Sequence, residues 1–510
     1  MEGRWRYTGA VIAVVTGVVL TATGCTLSFM WSNVFDAIVR KELTISPSSK
    51  SYQIWKYTPV PMTLEFYFFN WTNPEDIRKP GTKPNLVQMG PYVFTEVHEK
   101  VNLTWNPNNT ISYKQIRRWY FDAERSNGSL DDEVTTLNVV ALTAAFVSRD
   151  WSFYLLKSMS IAMSSYGETL AITRTAGELL FEGYSSPLIT MANVLPGISG
   201  MDIPYDKFGW FYMRNGSVDY DGQFTMHTGT DDISLLGKLS RWNGGNTTKF
   251  FPGPCGHVNG SAGELWPPRR TKEDTVAMFS PDLCRSIEFQ YLDEQTVHGI
   301  SGYRYSGGAD LLDNKTDCFC GGQCVPSGAL NVSTCRYGAP AFVSYPHFYL
   351  ADPFYLRQVD GLQPEPDKHR FYITLEPETG IPLDVAARFQ INILLQPHDY
   401  VSMLSGLPRV FFPVLWFQER ASMTADMAVS LGYLLLLPSI GLVVSLLMVA
   451  FGVLAILVAS VAIVKRRRTP RKDDWTSGVQ LESMKMQTMI SRPDPEPEPE
   501  EERLINGTAK

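Results

Sequence analysis

The chain has 510 residues, enough for one large core or two domains, and a net charge of −7. That balance argues against nucleic acid as the main partner, which calls for a concentrated basic surface. Much of the negative charge lies in the run from Asp494 to Glu502, so the global charge says little about the folded part.

Residues 1–7 carry Arg4 and Arg6 and precede an uncharged apolar run at 8–30. At about 1.5 Å rise per residue, roughly 20 such residues cross the hydrocarbon core. A second uncharged run spans 431–464 and is divided by Pro438. The membrane helix is predicted at 439–464, with 431–437 at the interface or in the outer domain. Lys465, Arg466, Arg467, Arg468, Arg471 and Lys472 follow it. Positive flanks stay in the cytosol, which puts both tails inside and residues 31–430 outside. A cleaved signal peptide ending near Ala22, Thr23 and Gly24 is the alternative for the first run. The run is long for that, and the outer domain is the same either way.

Within 31–430, Val101, Leu103 and Trp105 alternate with Lys100, Asn102 and Thr104. The turn 106–109 follows, then Ile111 and Tyr113, and the pattern predicts a hairpin with one buried face and Asn102 on the wet one. Residues 129–181 read as helical. Ser129 to Asp132 resembles a capping box, and Val134, Leu137, Ala141 and Ala145 recur at helical spacing. Asp150 is the expected cap of a second helix bearing Trp151, Tyr154, Leu155, Lys157, Met159 and Ala162. Phe371, Ile373 and Leu375, then Phe389, Ile391 and Ile393, alternate with polar residues as in half-buried antiparallel strands.

Nine Asn-x-Ser/Thr sites fall between the apolar runs: Asn70, Asn102, Asn108, Asn127, Asn215, Asn246, Asn259, Asn314 and Asn331. Nine acceptors in the segment placed outside agree with a glycosylated domain. Asn506 also fits but lies in the predicted cytosolic tail. Cys25 reads as a packing residue in the first apolar run. Six cysteines cluster between 255 and 335: Cys255, Cys284, Cys318, Cys320, Cys324 and Cys335. They read as three disulfides of open connectivity. Zinc is the competing reading of Cys318, Cys320 and Cys324, disfavoured because thiolates do not persist in an oxidising space. The tail 465–510 is basic, then acidic and proline-rich, and is predicted to be disordered. Glu500 with Leu504 and Ile505 has the form of a dileucine sorting signal read by clathrin adaptors.

Several motifs resemble the class B scavenger receptor family. They are Phe68-Phe69-Asn70-Trp71-Thr72-Asn73-Pro74, Gln88-Met89-Gly90-Pro91-Tyr92 and Asp282-Leu283-Cys284-Arg285-Ser286-Ile287. Tyr345-Pro346-His347-Phe348, His369-Arg370 and Leu375-Glu376-Pro377-Glu378-Thr379-Gly380 follow in order. The resemblance implies an α+β ectodomain with an antiparallel β-barrel core, an apical helical bundle at 129–181 and an internal lipid tunnel, anchored by two transmembrane helices. It implies the pairings Cys255–Cys318, Cys284–Cys335 and Cys320–Cys324. It implies a receptor for lipids and lipoprotein particles, with phagocytic uptake, at the plasma membrane and in an endosomal or lysosomal pool. The ligand class spans fatty acids, sterols and carotenoids, and no cofactor or metal is implied. Lys157 is the only lysine in 134–181. An uncharged mouth suits a neutral ligand at least as well as an anionic one. The alternative is an endolysosomal protein that sorts a hydrolase or exports lipid, for which the tail signal argues. The histidines at 98, 227, 257, 298, 347, 369 and 398 lie outside the expected apical helices and argue against hydrolase delivery. No Gly-x-Ser-x-Gly, His-Glu-x-x-His or phosphate-binding loop pattern points to an enzyme.

Overall fold

The structure is a computed structural model that describes residues 2–194, 204–313, 318–320 and 324–468. The chain divides into two units, residues 1–32 with 438–510, and residues 33–437.

The first unit is built from the outer parts of two long helices, α1 (Glu2–Leu43) and α8 (Ala425–Arg468). The stretches Thr8–Leu43 and Ala425–Lys465 are both long and apolar enough to cross a membrane. Small residues let the two backbones approach. A Cβ on Gly17 would lie 2.7 Å from the Gly452 carbonyl oxygen, and one on Gly24 would lie 2.8 Å from that of Ser445.

Two boundaries differ from expectation. The first helix does not stop at 30 but runs on to Leu43, because Val39 and Leu43 are buried in an apolar cluster of the second unit. The last helix does not break at Pro438. A proline removes one backbone donor, and the helix before it is held by Ala428 and Leu431 packed with Leu383 and Met423.

The second unit is organised by a 13-stranded antiparallel sheet. Its order is β7 (Leu239–Trp242), β6 (Phe224–His227), β3 (Thr110–Phe121), β2 (Leu86–Asn106), β1 (Met62–Trp71), β15 (Val410–Ser422), β14 (Pro382–Leu395), β13 (Tyr372–Leu375), β10 (Ile300–Ser306), β9 (Arg285–Val297) and β8 (Val276–Ser280). Strands β11 (Ala329–Asn331) and β12 (Ala341–Ser344) branch from β14. Ser261 nearly closes this sheet into a barrel. It bridges Lys238 beside β7 on one side and Met278 of β8 on the other.

The region 129–181 is not helical throughout. Glu133–Leu137 is strand β4, paired with β5 (Ala171–Thr175). One capping-box hydrogen bond forms, from the Ser129 N–H to Asp132, but the Ser129 hydroxyl accepts from the Asp131 N–H and the Asp132 N–H goes to the Ser129 carbonyl, which shapes a turn. The helix starts later, as α3 (Val139–Val147), capped by Asn138. Helix α4 (Phe153–Ser165) has Ser152 at its N-cap, not Asp150.

Polar positions on two predicted half-buried strands are also dry. Gln390 and Asn392 of β14 are fully buried and bond each other and the Ser344 hydroxyl. The hairpin of β2 and β3 is present, but Lys100 lies inside and Trp105 outside. A register shift between Val101 and Thr104, with Asn102 at φ +52°, exchanges the faces there.

Two distant motifs meet in the core. The His347 Nε2–H donates to Gln88 Oε1 at 2.8 Å, while its Nδ1 accepts from the Gln363 N–H. The His369 ring stacks on it at 4.4 Å. Burial lowers His347 to about 4 and His369 to about 3. The unfolded chain therefore binds more protons than the native one below the ordinary value of 6.5. Stability from these neutral rings should be complete above that value and fall as the pH drops towards 4. The expected loss is at most about 1.4 kcal/mol per pH unit for each group. Denaturant unfolding of the wild type and His347→Gln over this range checks it, the variant showing the flatter profile.

Candidate functional site

A single-turn register builds one wall of a cavity. In α4 and the turn before it, Trp151, Leu155, Met159 and Ala162 recur at helical spacing and all line a cavity of about 520 Å³. Four of the six residues expected to contact ligand are therefore brought together. The other two are not. Tyr154 is 81 % exposed, and the Lys157 ammonium lies 5.8 Å from the Tyr400 ring centre, so both belong to the outer face. Phe153, Tyr154, Ile161, Tyr166 and Tyr400 make that outer face broadly apolar and exposed.

The opposite walls come from elsewhere. Val139 and Val140 of α3, Leu188 and Ile189 of α5 (Pro187–Val194), and Ile391, Ile393 and Phe417 of the barrel add apolar surface. The aromatic run Phe208-Gly209-Trp210-Phe211 also lines the cavity, and its density in aromatic residues was the one available signal. Gly209 is needed there, since a Cβ would come within 3.0 Å of the Leu180 carbonyl oxygen.

Lys207 lines the cavity, and three further charged groups there are paired with one another. Arg214 Nη1 and Nη2 donate to the two Asp282 oxygens at 3.1 Å, and Arg336 Nη2 reaches Asp282 Oδ1 at 3.2 Å. Burial alone would raise the Asp282 carboxyl. The two guanidinium groups outweigh it and hold the group at about 2. The motif from Asp282 to Ile287 thus serves the cavity wall. Its next members fix the same corner, with Leu283 buried and Arg285 over the Phe319 ring at 3.5 Å.

A model of the CD36 family matches residues 15–463. The chain belongs to the CD36 family. It is 38 % identical to protein peste of Drosophila melanogaster, over 89 % of this chain and 82 % of the relative. It is 34 % identical to scavenger receptor class B member 1 of Sus scrofa, over 83 % of each. Lysosome membrane protein 2 of Homo sapiens is 31 % identical, over 83 % of this chain and 87 % of the relative. This CD36-family chain is accordingly a two-pass membrane protein with an α+β domain between its spans.

Two of the three cysteine pairings are formed, Cys255–Cys318 and Cys320–Cys324. Cys284 and Cys335 face each other in direct contact as thiols. Among the described residues no group of three or more His, Cys, Asp or Glu side chains is placed to hold a metal ion. Asn314, Glu500, Leu504, Ile505 and Asn506 lie outside the described residues. Asn102, Asn108, Asn127, Asn215, Asn246 and Asn259 are exposed and Asn70 is half-buried.

Asn331 is different. It is 8 % exposed, in β11, and its Oδ1 accepts from the Ser333 N–H and hydroxyl. A glycan needs its amide in water. Glycopeptide mass spectrometry of protein from its native cells should find Asn102 and Asn108 occupied and Asn331 bare.

Proposed function

We propose that this chain is a class B scavenger receptor that takes the apolar part of a lipid into the cavity beneath α4 and passes it on to the bilayer. The observation that carries this is the α4 face formed by Trp151, Leu155, Met159 and Ala162 over a cavity of about 520 Å³. That volume falls in the usual range for small-molecule sites, roughly 300–1,000 Å³. Exposing a 16-carbon chain to water costs about 13 kcal/mol, at ~0.8 kcal/mol per CH₂. An apolar passage removes that barrier, and flux then follows the lipid gradient. The exposed apolar face of α4 is the docking surface for lipoprotein particles. Lys157 lies on the outer face and Arg214, Asp282 and Arg336 are paired, but Lys207 also lines the wall, so the lining suits a fatty-acid carboxylate as well as a neutral sterol or carotenoid.

Both tails are cytosolic in this reading, and Cys284 and Cys335 close the third disulfide. A second reading rests on Glu500, Leu504 and Ile505, a signal for clathrin adaptors and an endolysosomal pool, where the protein exports lipid or sorts a hydrolase. The relative named lysosome membrane protein 2 supports it. Leu504→Ala with Ile505→Ala should then raise the surface level and reduce overlap with lysosomes.

Filling the cavity tests the main reading. Ala162→Trp puts an indole on its wall and should weaken uptake of labelled sterol by about tenfold, equivalent to ~1.4 kcal/mol. Tyr154→Ala should leave cavity occupancy, measured by mass spectrometry of co-purified lipid, unchanged. Uptake by Ala162→Trp equal to wild type for every lipid class would refute the cavity as the route.

A further inference from the structure

Beyond the aromatic residues, the barrel interior changes character. On β2 the inward positions run Phe94, Glu96, His98 and Lys100, and all four are buried. Glu96 faces Trp119, and His98 faces Arg117, across the β2–β3 ladder. Arg117 Nε lies 2.6 Å from Glu96 Oε1, and its Nη2 lies 2.7 Å from Glu419 Oε2 on β15. Trp119 Nε1 donates to Glu96 Oε2 at 2.8 Å. The last member is Glu264, three positions beyond Ser261, in the segment that closes the barrel. Its Oε1 accepts from the Lys100 ammonium. The Tyr113 hydroxyl is buried on the same side of β3.

His98 sits between the carboxylates. Its Nε2 is 2.8 Å from Glu96 Oε1 and its Nδ1 is 3.3 Å from Glu264 Oε1, both off the ideal hydrogen-bond line. A carboxylate only accepts, and a neutral imidazole has one bare lone pair, which would then face an oxygen. Only the imidazolium suits both sides. The charges agree. Three carboxylates, Glu96, Glu264 and Glu419, face two fixed cations, Arg117 and Lys100, so one proton makes the cluster neutral.

We propose that a proton on His98 locks the barrel interior shut, tying the closing segment at Glu264 to β2 and β3, and that its loss as the pH rises loosens this seam. The lock rests on the reading that lipid leaves the cavity through the barrel, since it stands in that path. Burial alone would lower His98, and Glu96 and Glu264 more than reverse this, so its value is raised above 6.5. Burial pushes Glu419 up, which makes it the competing holder of the same proton. A raised histidine contributes stability that is complete below its unfolded value and is lost as the pH climbs through the folded one. The interior is therefore closed in acid and loosens as the pH rises through the raised value of the folded ring.

The test is amide hydrogen exchange on the full-length protein in lipid nanodiscs, at about pH 6 and about pH 8. After scaling for intrinsic rates, protection over residues 94–101 and 113–119 should fall about tenfold for each pKa unit released. His98→Gln should show low protection at both values. Glu264→Gln removes the surplus charge while still accepting from Lys100, so it should keep full protection at the higher pH. That variant decides the matter if His98→Gln does not fold. Equal protection of the wild type at both values overturns the lock, as does wild-type-like pH dependence in either variant. Transfer of a fluorescent sterol through the same protein in vesicles is measured in parallel. Transfer with constant protection sinks the lock alone, whereas pH-dependent protection without transfer sinks the receptor reading and leaves the lock standing.

Discussion

Everything in the larger unit depends on the two-residue period of four neighbouring strands. Strands β3, β2, β1 and β15 send alternate side chains inward, and their register decides what meets there. Phe66 of β1 pairs with Phe417 of β15, and the rings of Phe94, Phe181 and Phe211 pack edge-on against Phe66. Next along β2 and β3 come Glu96, Arg117 and Trp119. A slip of one residue would put Thr95 and Val97 inside and carry the buried charges into water. It would remove the aromatic layer and the ion cluster together, so neither is an independent feature.

That register also limits the cavity. Phe417 is at once a cavity wall and a member of the aromatic layer. The space beneath α4 therefore ends on rings whose other side adjoins Trp119, Arg117 and Glu96. A ring that moves for a passing lipid exposes the lipid to carboxylates and a guanidinium. Desolvating those groups singly is costly, whereas moving them as a neutral set is far less so. The charge balance of the cluster thus bears on lipid movement even though no charge of the cluster lines the cavity.

How much of this was legible in the sequence depended on whether local chemistry matched the environment. The two anchors were readable because length and apolarity suffice, although their ends were set by packing at Leu43 and Ala428. The α4 face was readable because residues four apart share a side. The strand at Glu133–Leu137 was not, because the Ser129 N–H donates to Asp132 in this turn as it would in a helix cap. Its partner β5 is decided only by the fold. Lys100, Gln390 and Asn392 were misassigned for one shared reason. Alternation arguments treat polar as wet, and each of these residues finds its partner far along the chain, in Glu264 and Ser344. The residues Phe208 to Phe211 and Phe417 reach the cavity by similarly long-range packing.

The histidines show why position outweighs identity. His347 and His98 are both buried, yet they are driven in opposite directions. Around His347 the partners are a neutral amide, a backbone N–H and a second imidazole, so the low-polarity surroundings prevail and the ring stays neutral. Around His98 there are two carboxylates, and their field outweighs the same loss of water. Acid therefore acts on one molecule in two senses. It strains the core at the Gln88–His347 contact and tightens the seam at Glu264. Between the value where His98 releases its proton and the much lower one where His347 accepts one, the core is sound and the barrel is shut. A pH above the His98 value keeps the core and relaxes only the seam.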